Sequence, residues 1–119
     1  MPEGNKMVAD CIFCKIISRE ISSNIIFEDE KIVAFKDVNP QAPVHIVIIP
    51  REHISTLNDV TDYTLYSDLF KAIQKLAVEM RIDRNGYRVV ANCNGDALQS
   101  VFHIHFHLLG GRVFRWPPG

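Results

Sequence analysis

The stretch that decides the fold is Val101-Phe102-His103-Ile104-His105-Phe106-His107-Leu108-Leu109, a strict alternation of apolar residues and histidines. Alternation with a period of two is the pattern of a β-strand whose two faces meet different surroundings. Phe102, Ile104, Phe106 and Leu108 are expected on one face, and His103, His105 and His107 on the other. Residues two apart on such a face step by about 6.6 Å. Histidine is not a favoured strand residue and titrates near neutral pH, so three in alternation point to chemistry. Two readings follow from the residues. Imidazoles from one strand can be metal ligands, or one can attack as a nucleophile while another assists charge or proton movement.

The surroundings separate these readings. No Asp or Glu lies after Asp96, and from Arg81 to the end there are five arginines against two acids. That local excess favours an anionic substrate such as a phosphate. Over the 119 residues the net charge is only -1, which gives no support to a broad nucleic-acid surface. The length suits one domain, and 47% apolar with 23% charged residues is the balance of a globular chain with a real core. Residues 1–9 read as a flexible leader and residues 10–119 as the single domain. Three cysteines cannot all pair, there is no apolar signal segment, and no apolar run reaches about 20 residues. A reducing compartment is expected, cytoplasmic and also nuclear.

Working outward from the histidines, Asp10 is placed to cap a short helix over 11–18. Two β-type runs, 24–27 and 32–35, are joined by a short acidic connection, and a third strand, 44–49, ends at Pro50. Asn39-Pro40-Gln41-Ala42-Pro43 is a loop. Asp59 or Thr61 is expected to cap a long helix reaching about Arg81, with Leu65, Leu69, Ile73, Leu76, Ala77 and Met80 as its core stripe. A strand over 87–92 and a turn at Asn94-Gly95-Asp96 precede the histidine strand. The architecture expected is α+β: one antiparallel five-stranded sheet with one short and one long helix packed on it.

Residues 103–109 resemble the motif of the histidine triad (HIT) family, His-φ-His-φ-His-φ-φ, and Gln99-Ser100-Val101 resembles its lead-in. The likeness extends through Ile12-Phe13-Cys14-Lys15-Ile16-Ile17, Phe27-Glu28-Asp29, Gln41-Ala42-Pro43, Pro50 and His53-Ile54-Ser55 to Gly110-Gly111-Arg112. The ending Trp116-Pro117-Pro118-Gly119 is similar to that of the purine nucleoside phosphoramidase branch. The resemblance implies a homodimer whose sheets form one continuous sheet, with Trp116 near the partner subunit. It implies binding of a purine nucleoside monophosphate, or of its phosphoramidate as substrate. His105 is then the nucleophile, forming a nucleotidyl-histidine intermediate. His107, His45 and Ser100 would assist it, and no cofactor would be needed for catalysis. Asn92 would hold the phosphate region and Asp37 the ribose. Ile12, Phe13, Ile16, Phe35 and Val38 would enclose the base; taken alone they read equally as core residues. Dinucleoside polyphosphate hydrolysis, and a nucleotide-binding regulatory module with vestigial catalysis, are the competing functions.

One departure stands out. The family usually has glycine just before the Gln-Ser pair, and this chain has Leu98 there, with Asn94 where glycine is common. Cys11-x-x-Cys14 can be a redox pair, two buried thiols, or half of a structural zinc site. A redox pair expects a preceding strand that this position lacks. For the zinc reading the resemblance implies His53 and His103 as the remaining ligands. Cys93 is a turn cysteine to which no role attaches.

Overall fold

The computed structural model describes residues 8–119, so most of the expected 1–9 leader lies outside the described residues. Five strands form one antiparallel sheet in the order β1-β2-β3-β5-β4: β1 (Ile25–Glu28), β2 (Ile32–Lys36), β3 (Val44–Pro50), β4 (Tyr87–Val90) and β5 (Phe106–Gly110). A short helix, α1 (Ile12–Ile17), precedes the sheet, and a long one, α2 (Thr64–Glu79), connects β3 to β4. The α+β architecture is thus the one expected.

The two sheet faces carry different loads. On one, Ile46 and Ile48 of β3 and Phe106 and Leu108 of β5 pack with Leu65, Leu69, Ile73 and Leu76 of α2. On the other, Val33, Phe35, Val47 and Ile49 pack with Phe13, Ile16 and Ile17 of α1. A fully buried aliphatic side chain contributes about 1.5–3 kcal/mol, so α2 is held by its stripe rather than by helix propensity. The helix ends in a Schellman arrangement: the Arg81 amide donates to the Val78 carbonyl and the Ile82 amide to Ala77. Arg81 takes the positive φ (60°) that glycine usually supplies there.

Three boundaries differ from expectation. The N-cap of α1 is Cys11, not Asp10; its extended backbone aims Sγ at the Cys14 amide, 3.4 Å away. The long helix begins at Thr64 with Tyr63 at its N-cap position, so it is capped by neither Thr61 nor Asp59. Asp59 closes a capping box with Thr56 on a separate 3₁₀ turn, Leu57–Asp59. The third correction matters most for the site: β5 begins at Phe106, not Val101. The register that pairs Ile48 with Phe106 would set Pro50 against Ile104. Pro50 has no N–H to donate, and its carbonyl is taken by the His103 ring at 2.8 Å. The Ile104 amide instead donates to Ile54 at 2.7 Å. Residues 101–105 therefore leave the ladder and the expected alternation fails. Phe102 is 47% exposed while His103 is fully buried.

Candidate functional site

Directly opposed residues share a sheet face, so the register places His45 (opposite Leu109) and His107 (opposite Val47 and Val90) on the α1 side. There the Nε2 of His45 lies 2.9 Å from the Nδ1 of His107 and 3.4 Å from the Oδ2 of Asp37. His105 follows from the irregular segment, its ring centroid 5.1 Å from that of His107. Phe13 of α1 meets the His105 ring edge-on at 5.1 Å and the His103 ring at 5.9 Å.

The hydrogen bonds assign the tautomer of each neutral ring. The Gln41 amide donates to the Nδ1 of His45 at 3.0 Å, so His45 carries its proton on Nε2 and offers it to His107. His107 accepts at Nδ1 and keeps its own proton on Nε2. The Nδ1–H of His105 donates to the His103 carbonyl at 2.8 Å, which leaves the Nε2 of His105 with a free lone pair. His103 donates from Nε2 to Pro50, leaving its Nδ1 lone pair free. Burial disfavours the charged form of all four rings. It lowers His103 and His107 to about 4, and His45 and His105 also lie below the usual imidazole value. The Asp37 carboxylate opposes the shift at His45, His105 and His107.

Asp37, His45 and His107 lie close enough to share an ion. A metal there would need a lone pair on the Nε2 of His45, where the Gln41 contact keeps a proton. The trio is therefore better suited to passing a proton than to holding a cation.

The second cluster is built the other way. The free Nδ1 of His103 lies 3.4 Å from the Sγ of Cys11, 3.7 Å from that of Cys14 and 3.2 Å from the Nδ1 of His53. The Sγ of Cys14 is 3.4 Å from the Nδ1 of His53. Zinc bonds of about 2.0–2.3 Å at tetrahedral angles give ligand–ligand edges of roughly 3.3–3.8 Å. The four atoms match that spacing, and the donor set Cys₂His₂ suits zinc. Burial pushes the Cys14 thiol up to about 11, an unfavourable place for a thiolate unless a cation shares it.

Of the other residues singled out from the sequence, Phe13, Ile16 and Phe35 are buried in the core beside α1, whereas Ile12 and Val38 are exposed. Asn92 is half-buried just past β4, and Ser100 is exposed on the loop before His103. Leu98 adopts the left-handed conformation (φ 61°, ψ 39°) and is 83% exposed; Asn94 also has a positive φ of 68°. The sequence alone marks Gln99, which is buried, only as part of a motif. Its side chain accepts from the Asn94 amide (2.8 Å) and donates to the Ser55 and Val101 carbonyls (2.8 and 3.1 Å). The Gln41 amide and Pro50 carbonyl, which set two of the tautomers, are backbone groups with no side-chain signature.

A family model for the HIT domain matches residues 18–114. The chain belongs to the HIT family. Its fold superposes on a HIT family hydrolase from Legionella pneumophila with a TM-score of 0.90 at 48% identity, covering 92% of this chain and all of that one. A histidine triad nucleotide-binding protein from Candida albicans matches with a TM-score of 0.80 at 37% identity, over 91% of this chain and 83% of that one. A 14 kDa zinc-binding protein of Zea mays is 45% identical over 121 residues, covering 91% of this chain and 87% of that one.

Proposed function

We propose that this HIT domain is a hydrolase that cleaves the P–N bond of purine nucleoside phosphoramidates through a nucleotidyl-histidine intermediate on His105. The observation that carries the reading is the bond from the Nδ1–H of His105 to the His103 carbonyl, which leaves Nε2 unprotonated in a ring kept neutral by burial. Nε2 attacks phosphorus, an Nε2–P bond forms, and the P–N bond to the amine breaks. The amine needs a proton to leave. The Nε2–H of His107, held by the Asp37–His45–His107 chain, supplies it, with the Ser100 hydroxyl beside the leaving group. Water then attacks phosphorus, its proton passes to the Nε2 of His107, the bond from phosphorus to the Nε2 of His105 breaks, and the nucleoside monophosphate leaves with both rings restored.

Asp37 retains acceptor capacity for ribose hydroxyls after taking the Asn39 amide at 2.8 Å. Exposed Ile12 and Val38 flank the base, above Phe13, Ile16 and Phe35; Asn92 holds the phosphate region. Zinc on Cys11, Cys14, His53 and His103 is structural in this reading, and the protein works in the cytoplasm. The exposed edge of β4 is suited to pairing with a second copy into a continuous sheet, with Trp116, 82% exposed, against the partner.

Incubation of the protein and a His105→Ala variant with an adenosine phosphoramidate tests the reading. Release of AMP by the wild type and its loss by at least about a thousandfold in the variant are expected, since truncating a nucleophile removes the covalent route. Equal turnover by both refutes the nucleophile. Tight AMP binding without turnover by the wild type would instead favour a binding module.

A further inference from the structure

The segment that carries the proposed nucleophile is not part of the sheet. β5 starts at Phe106, so His103, Ile104 and His105 have no ladder partner in β3. Three other attachments hold them. The Ile104 amide bonds the Ile54 carbonyl at 2.7 Å. The Nε2 of His103 bonds the Pro50 carbonyl. The Nδ1 of His103 meets Cys11, Cys14 and His53. The residue next to each chain-crossing histidine, Ile54 beside His53 and Ile104 beside His103, makes the backbone bond. The metal-type cluster and that bond therefore close the same junction. The main chain of His103 in turn fixes the catalytic ring, because its carbonyl accepts the Nδ1–H of His105 at 2.8 Å.

We infer that the Cys₂His₂ cluster is the positioning device of the active site: a zinc ion held by Cys11, Cys14, His53 and His103 locks residues 103–105 and thereby sets the His105 tautomer. His103 is the positioning residue, acting through its own carbonyl. The cation is the common partner of all four donor atoms; without it the two ring nitrogens, 3.2 Å apart, are joined by at most one N–H···N bond and each sulfur takes back its proton. Without a cation the cluster opens, the His103 carbonyl moves with it, and the His105 ring loses what distinguishes its two nitrogens. Phe13 transmits the same loosening, since it lies on α1 between the two cysteines and touches both the His103 and His105 rings. The inference rests on the nucleophile assigned above, but its structural half can be measured without any substrate.

The full-length protein, uniformly labelled with ¹⁵N, is compared as purified with one equivalent of zinc, after removal of metal by a chelator, and after zinc is returned. Amide hydrogen exchange and the ring-nitrogen shifts of His105 are followed by NMR. Metal removal is expected to speed exchange at Ile104 by at least about tenfold while Ile48 and Leu108 in the sheet keep their protection. It is also expected to turn the single His105 tautomer into a mixture, with zinc restoring both signals. A Cys11→Ser/Cys14→Ser variant should behave like the metal-free protein whether or not zinc is added. Unchanged exchange and tautomer on metal removal would overturn the inference. So would failure to take up zinc, or equal loss of protection throughout the sheet. If the tautomer responds to zinc but no phosphoramidate is turned over, the coupling stands and the catalytic reading falls.

Discussion

Replacing Gln99 by leucine keeps the side chain's volume and removes three hydrogen bonds, two that brace the loop 94–101 internally and one that ties it to Ser55. A neutral hydrogen bond nets about 0.5–1.5 kcal/mol, which sets a ceiling of roughly 4 kcal/mol for three. Two effects lower it. Asn94 is exposed, and Ser55 and Val101 are only half-buried, so water takes over part of the lost bonding. The loop also holds Asn94 and Leu98 at positive φ, a conformation that costs a residue with a Cβ about 1–2 kcal/mol and that is released when the clamp opens. The net expectation for Gln99→Leu is a loss of about 1–2 kcal/mol. Leu98→Gly has the opposite sign. The 83% exposed side chain has little burial to lose, and relief of left-handed strain outweighs glycine's extra unfolded entropy by about 0.5–1 kcal/mol. Once the clamp is gone that relief has already occurred, so the stabilisation by Leu98→Gly should largely vanish in the Gln99→Leu background. Urea denaturation of the two single variants and the double variant measures all three quantities. If Gln99→Leu lies within about 0.5 kcal/mol of wild type, or Leu98→Gly does not stabilise, the clamp-and-strain account is wrong.

Acid should destabilise the fold in a defined window. In the unfolded chain His107 binds a proton below about pH 6.5, whereas in the fold burial delays this to about 4. Its contribution is therefore present above pH 6.5 and lost as pH falls toward 4, by about 1–3 kcal/mol after allowing for its partial exposure, with His45 shifting in the same direction. Urea midpoints that do not fall between pH 7.5 and 4.5, or a His107→Asn variant with an undiminished slope, would contradict this. Gly110→Ala would place a Cβ within 2.7–2.9 Å of the buried Ile82 side chain, including its Cβ. A loss of about 2 kcal/mol is expected, with part recovered by Ile82→Ala in the same chain. Calorimetry showing an unshifted melting temperature for Gly110→Ala would refute that contact.

The elements that were legible in the sequence are those whose pattern comes from burial. The stripe Leu65, Leu69, Ile73, Leu76 and Ala77 marked α2 because it faces a continuous core, and the run around Ile46–Ile49 marked β3 because both its faces are covered. Boundaries failed where a side chain had a second task. Asp59 looks like a helix cap but serves the turn before α2. Cys11, a poor cap by propensity, displaced Asp10 because its sulfur is drawn inward with Cys14 and His103. The histidine alternation pointed to the candidate site yet misassigned its geometry. An alternating pattern does not reveal that Pro50 stands opposite Ile104 and cannot continue the ladder. As a result His103 turned into the metal-type cluster, while His45 and His107 alone stayed on the expected sheet face.

The Cys₂His₂ cluster joins Cys11 to His103, 92 residues apart in the sequence. During synthesis the two thiols therefore emerge well before His103 and are unshielded by it until the intervening residues have been made. Contacts this distant form late, after the loop-closure entropy of the intervening chain has been overcome. A nascent polypeptide stalled before His103 lacks β5, the strand that joins β3 to β4 and packs under α2, together with one residue of the cluster and the proposed nucleophile. On the proposed function, activity thus waits for the same stretch of chain that completes the sheet.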